Sequence, residues 1–148
     1  MVKNFELIES CKNNNILLND IFQSDEVKNI NLKQKKFFYI INQESSKLGN
    51  GSHWIVLCKL DKYYYYDSFG CPPLQVILNK LKGIKIGFTN FSHQPIKSTE
   101  CGFYCCLFLK LMQENKYKNT EKTFNKYIDY YEPFNDVDND KIMFDLLK

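Results

Sequence analysis

The sequence predicts an α+β domain in which a central mixed β-sheet is flanked by helices and a cysteine begins a buried helix. Three observations predict it. Aromatic and β-branched runs at Phe37 to Ile41, His53 to Leu60 and Tyr63 to Asp67 have the length and composition of strands. The segment Cys101 to Met112 is apolar nearly all round, the pattern of a helix enclosed by other elements. With 148 residues, 44% hydrophobic and 16% aromatic, the chain can fill one core, and no Gly/Pro/Ser linker or internal repeat divides it. A single domain over 1–148 is expected.

Taken in order, Lys12-Asn13-Asn14-Asn15 reads as a polar loop and Ile16 to Phe22 as a short helix. Phe37 to Ile41 reads as a strand, and the glycine-containing stretch Ser45 to Gly51 as a loop. His53 to Leu60 and Tyr63 to Asp67 flank the polar Asp61-Lys62 and are expected to pair antiparallel. Ser68-Phe69-Gly70-Cys71-Pro72-Pro73 ends the second strand. Leu74 to Leu81 has helical spacing, Ile84 to Phe88 suits a strand, and Thr89 to Lys97 a loop. Ser98 or Thr99 can cap the helix that carries Cys101, and further helices are expected around Thr120 to Tyr131 and Asp138 to Leu147.

Composition narrows the function classes. There is no apolar run long enough to span a bilayer, and the N-terminus lacks the apolar centre of a signal peptide, so a soluble intracellular protein without membrane attachment is expected. The 6 cysteines are too sparse for a small secreted disulfide scaffold, which favours reduced thiols. A net charge of +3 does not call for nucleic acid as a partner, although a weak local association with DNA stays open. Every basic residue is lysine, so bidentate guanidinium recognition is excluded.

One constellation could carry chemistry. Cys101 sits where a helix begins, and unpaired N–H groups and the helix dipole favour an anionic sulfur there. A lone cysteine at such a place is ordinarily a small buried residue, but this one has companions. His53 opens one strand of the hairpin and Asp67 closes the other. An odd-numbered turn puts both on one face as cross-strand or diagonal neighbours, about 5 to 8 Å apart between backbone positions, whereas a strict two-residue turn puts them on opposite faces. Paired, the carboxylate would orient the imidazole and the imidazolium would support a thiolate. Gln94, in the loop before Cys101, could offer its amide beside the Cys101 N–H to a developing oxyanion. Gly102 would leave room for substrate to approach. Read singly, His53 is a strand residue, Asp67 a turn residue and Gln94 a solvated loop residue. His93, next to Gln94, is a competing base, expected to be dispensable.

Gly51-Ser52-His53-Trp54, Tyr66-Asp67-Ser68-Phe69-Gly70, Gln94 and Glu100-Cys101-Gly102-Phe103-Tyr104-Cys105-Cys106 together resemble the active-site blocks of the adenovirus-type maturation cysteine proteases (adenain-like). That clan also holds the SUMO-specific Ulp proteases. The resemblance runs from Gly51 to about Met112. It implies an adenain/Ulp-like fold, His53 as general base, Asp67 as its orienting acid, Gln94 as oxyanion-hole donor and Cys101 as nucleophile. It further implies a thiol endopeptidase of a virophage or similar DNA virus, cleaving capsid or core precursors near small residues such as glycine. Such an enzyme would work in the virion, host-cell cytoplasm or viral factory, as a monomer without cofactor or metal. The family's adenoviral branch has glutamate where this chain has Asp67, and the SUMO branch has aspartate. No cysteine lies between Cys71 and Cys101, which argues against activation by a disulfide-linked peptide, and the short C-terminal region removes part of the surface for such activators.

Three other readings compete. A SUMO- or ubiquitin-like-specific isopeptidase would share all of this chemistry. A zinc module could use Cys101 and Cys105, one helical turn apart, with Cys106, Cys71, His53 or His93 completing four ligands, though no Cys-x-x-Cys pair is present. A noncatalytic nucleic-acid binder could use Lys80, Lys82 and Lys85, or Lys116, Lys118, Lys122 and Lys126 with their interleaved tyrosines.

Overall fold

Five strands lie side by side in the order in which the chain makes them. The computed structural model describes residues 2–43, 53–132 and 138–148; the loop expected over Ser45 to Gly51 lies outside the described residues. The strands are β1 (Asp20–Gln23), β2 (Phe37–Asn42), β3 (Trp54–Lys59), β4 (Tyr63–Tyr66) and β5 (Ile86–Phe88). β1 runs parallel to β2 and β5 parallel to β4, while β3 runs antiparallel to both β2 and β4. The sheet is therefore mixed. The helices are α1 (Asn4–Asn13), α2 (Gln75–Lys80), α3 (Cys101–Glu114), α4 (Thr120–Tyr127) and α5 (Asn139–Leu147), with short 3-10 turns at Ser24–Asn29 and Ile128–Tyr130. This is the α+β architecture expected from the sequence.

Strand alternation divides the core between the two faces of the sheet. Phe38, Ile40, Trp54, Val56, Cys58, Tyr64 and Tyr66 join a cluster with Leu7 and Cys11 of α1, most of α3, Phe124 and Tyr127 of α4, and Met143 and Leu147 of α5. The residues between them, Phe37, Tyr39, Ile41, Ile55, Leu57, Tyr63 and Tyr65, pack on Val27, Leu32, Ile77 and Leu81. Both faces are covered, which is why the strands read as unbroken apolar runs instead of alternating with polar residues.

α3 is the helix between the sheet and the outer helices. Tyr104, Cys105, Cys106, Leu107, Phe108 and Leu109 are fully buried. Phe108 stacks on Tyr66 with ring centroids 4.5 Å apart and meets Phe124 and Tyr127 edge-on. Truncating such a ring costs about 3–5 kcal/mol, so the helix that begins with Cys101 is firmly seated. It stops where Asn115 turns left-handed, with φ 46° and its N–H bonded to Leu111 O, a conformation asparagine tolerates better than most residues.

Two expectations for the N-terminal region fail. Ile16 to Phe22 is not a helix: its end belongs to β1, which pairs with β2 in parallel register from Asp20↔Tyr39 to Gln23↔Asn42. The helix lies earlier, at Asn4–Asn13, and absorbs the first two residues of the expected polar loop. Its buried Leu7 and Cys11 share one face, while Phe5 and Ile8 are more than half exposed. The exposed apolar pair blurs the helical pattern, and pairing with β2 overrides the helical look of Ile16-Leu17-Leu18.

Candidate active site

The hairpin turn decides whether His53 and Asp67 can meet. Lys59 pairs with Tyr63, leaving Leu60, Asp61 and Lys62 as a three-residue connection closed by Leu60 N–H donating to Lys62 O at 3.0 Å. With that odd number, the pairing Val56↔Tyr66 brings His53 and Asp67 to one face as diagonal neighbours. His53 Nε2 lies 2.7 Å from Asp67 Oδ1, with His53 7% exposed and Asp67 fully buried.

The acid is fixed from several sides. Asp67 Oδ1 also accepts from Phe69 N–H at 2.8 Å. Thr89 Oγ1 accepts from Asp67 N–H at 3.1 Å and donates to Asp67 O at 3.0 Å. The chain then turns sharply, with Gly70 N–H donating to Asp67 O and Gly70 at φ +72°. A Cβ there would stand 2.7 Å from the Phe91 backbone, so this turn requires glycine. Phe69 places its ring 4.8 Å from that of His53 and covers the imidazole.

Cys101 is the first residue of α3 and is 3% exposed. The Trp54 backbone N–H donates to its Sγ at 3.4 Å, which ties the sulfur to the strand that follows His53. Since Asp67 occupies Nε2, Nδ1 is the imidazole nitrogen left over, and it is buried with no hydrogen-bond partner among the described residues. Burial works against a charged His53 ring, but the hydrogen bond and charge of Asp67, with the Cys101 sulfur adding to them, outweigh it and raise the ring to about 9. The surroundings of His53 therefore favour its protonated ring, bound to Asp67, at neutral pH.

His93 has the opposite environment. Burial drives it down to about 4, against the smaller raising effects of the Phe91 carbonyl and the Asp67 charge. Its Nδ1–H donates to Phe91 O at 3.0 Å, and Nε2 accepts from Tyr66 O–H at 2.6 Å. Rings of Tyr66, Tyr104, Tyr127 and Tyr131 surround it. Both nitrogens are used and the ring is neutral, so this histidine is a packed core group.

Gln94 is held just upstream. It is 1% exposed, its Oε1 accepts from Ser68 Oγ–H, and its Nε2 donates to Ser98 O at 3.0 Å. The structure thus joins His53, Asp67 and Cys101 in one group and fixes Gln94 in the loop that leads to Cys101. Sequence reasoning missed Ser68, Thr89 and the Trp54 backbone N–H as the groups that hold these four. Ser68 follows Asp67 directly, which was the available signal.

Two local expectations change. The first residue flanking α3 is Glu100, without a side-chain cap; Ser98 instead accepts from Glu100 N–H at 3.2 Å through its hydroxyl. Gly102 does not open space for substrate: a Cβ there would stand 2.6 Å from Leu7 Cδ2 and 3.3 Å from Trp54 Cδ1, so the gap is filled by α1. Among the described residues no three His, Cys, Asp or Glu side chains are grouped to hold a metal ion, and no helix is long and apolar enough to cross a membrane.

No family model and no curated protein matches the sequence. Among solved structures, the chain is similar to the crystal structure of the ASFV pS273R protease, with a TM-score of 0.62 at 15% identity over 99% of this chain. The chain spans 66% of that protease's length. A selenomethionine crystal structure of the same protease gives a TM-score of 0.46 at 19% identity, covering 76% of this chain and 43% of that one. The first match shows a shared fold, that of a viral protease.

Proposed function

We propose that the chain is a cysteine endopeptidase that cleaves viral precursor proteins during virion maturation. The observation that carries the reading is the buried pair His53 Nε2–Asp67 Oδ1 at 2.7 Å beside Cys101 at the start of α3. The resemblance of the blocks around these residues to adenain-like proteases, and the fold shared with a viral protease, support it.

In this reading the imidazolium stabilises the Cys101 thiolate, and the sulfur attacks the scissile carbonyl. The oxyanion accepts from the Cys101 backbone N–H, one of the unsatisfied donors of the first helical turn, and from the Gln94 amide. As the tetrahedral intermediate collapses, His53 passes its Nδ1 proton to the leaving amine. The neutral ring then takes a proton from water, which attacks the thioester and releases the acid. Asp67 keeps the ring's Nε2–H bound throughout, so that Nδ1 faces the sulfur. Precursors cut near glycine are the proposed substrates. An isopeptidase for SUMO- or ubiquitin-like proteins, which shares all of this chemistry, is the second reading.

The test is covalent capture by a vinyl sulfone peptide ending in glycine, with the modified residue located by mass spectrometry. One adduct per chain on Cys101, at a rate far above that of a free thiol, is expected. Selective capture at another cysteine would overturn the assignment.

A further inference from the structure

A glutamine can serve an oxyanion only if it presents its NH₂ end, and two contacts decide which end faces where. Ser98 O lies 3.0 Å from Nε2 of Gln94; a carbonyl oxygen can only accept, so the atom beside it must be nitrogen. The opposite end, Oε1, accepts from the Ser68 hydroxyl. Ser68 and Gln94 are each 1% exposed, so bulk water is no substitute for that donor. The Ser68 carbonyl also accepts from the backbone N–H groups of His93 at 3.0 Å and Gln94 at 3.1 Å. One residue therefore holds Gln94 at its backbone and at the tip of its side chain.

We propose that Ser68 is a positioning residue that aims the Gln94 amide at the reacting oxygen, an inference that rests on Cys101 being the nucleophile. Donation into Oε1 fixes the plane of the amide and polarises it, which strengthens the second N–H of Nε2 as a donor. Asp67 and Ser68 are consecutive, so one dipeptide sets both halves of the machinery: its first residue orients the imidazole, its second the amide. Any shift of this turn moves base and oxyanion donor together.

Two probes separate this role from simple support of the fold. Iodoacetamide alkylates Cys101 by displacement of iodide, forms no oxyanion, and reports only on the sulfur and its imidazolium. Acetyl-glycyl-glycinal forms a bond from Sγ to its carbonyl carbon, moving the π pair onto oxygen as a hemithioacetal oxyanion, and so reports on the hole. In Ser68→Ala, alkylation should stay within about twofold of wild type while aldehyde affinity falls by roughly tenfold to a hundredfold, because a misaligned donor gives up much of its stabilisation of the oxyanion. Ser68→Thr, which keeps the hydroxyl, should restore most of the affinity, and Gln94→Ala should weaken the aldehyde at least as much as Ser68→Ala does. Each protein is measured well below its own melting temperature.

Unchanged aldehyde affinity in Ser68→Ala, alongside a loss in Gln94→Ala, would overturn the positioning role and leave the protease reading intact. Equal losses in alkylation and aldehyde binding would reduce Ser68 to a structural residue. A wild-type Cys101 no more reactive than a free thiol would overturn the protease reading and this inference with it.

Discussion

Replacing Asp67 by asparagine removes the charge that holds His53 protonated while keeping the size of the side chain. His53 rises from an ordinary 6.5 to about 9 in the folded protein, with burial opposing the charge and Asp67 the first of the groups that overcome it. That difference corresponds to about 3 kcal/mol, or roughly 300-fold in the protonation equilibrium. Without the carboxylate the opposing burial is left to act, and the ring returns toward its ordinary value or below it. Alkylation of Cys101 by iodoacetamide, followed from acid to alkaline pH, reads the loss. Wild type should remain reactive through neutrality and lose the imidazolium's contribution as the ring titrates near 9, whereas Asp67→Asn should be slower at neutral pH by about 100-fold or more.

Stability carries the same signature. Because the folded value lies above the unfolded one, the His53 contribution is complete below 6.5 and is lost as pH rises through about 9. Wild type should therefore lose up to about 3 kcal/mol across that window, and Asp67→Asn should show little of this dependence. Identical pH profiles for the two proteins, in alkylation and in melting, would refute the reasoning, because Asp67 would then be only a turn residue.

Two further substitutions test the supports of the site. Gly102→Ala should destabilise by about 1–3 kcal/mol through overpacking against the buried Leu7, and the double variant with Leu7→Ala should be less destabilised than the sum of the singles in a denaturant titration. Tyr66→Phe removes the donor to His93 Nε2 and should cost about 1–3 kcal/mol in the same titration, while Cys101 alkylation stays unchanged.

The parts of the fold legible in the sequence are those whose residues are constrained by burial alone. Phe37 to Ile41 and the hairpin are apolar on both faces because both faces are covered, and Cys101 to Met112 is apolar all round because helices and sheet enclose it. α1 was hidden because burying Leu7 and Cys11 leaves Phe5 and Ile8 in solvent, and β1 because none of its four residues is fully buried and they take their conformation from β2. His53, Asp67 and Cys101 could be named in advance, but their meeting depends on a turn length that composition does not reveal. A two-residue turn at Asp61-Lys62 would have parted them. What holds Gln94 was not legible either, since Ser68 and Ser98 act through single hydrogen bonds with no spacing rule of their own.

The hydrolytic assignment is tested most directly by trapping its covalent intermediate. The protein is mixed with a p-nitrophenyl ester of a glycine-terminated peptide, quenched in acid and mapped by mass spectrometry. One acyl group on Cys101 is expected in wild type and in His93→Ala, and none in His53→Ala. Acylation elsewhere, or a chain that still acylates without His53 and fails without His93, would contradict the account.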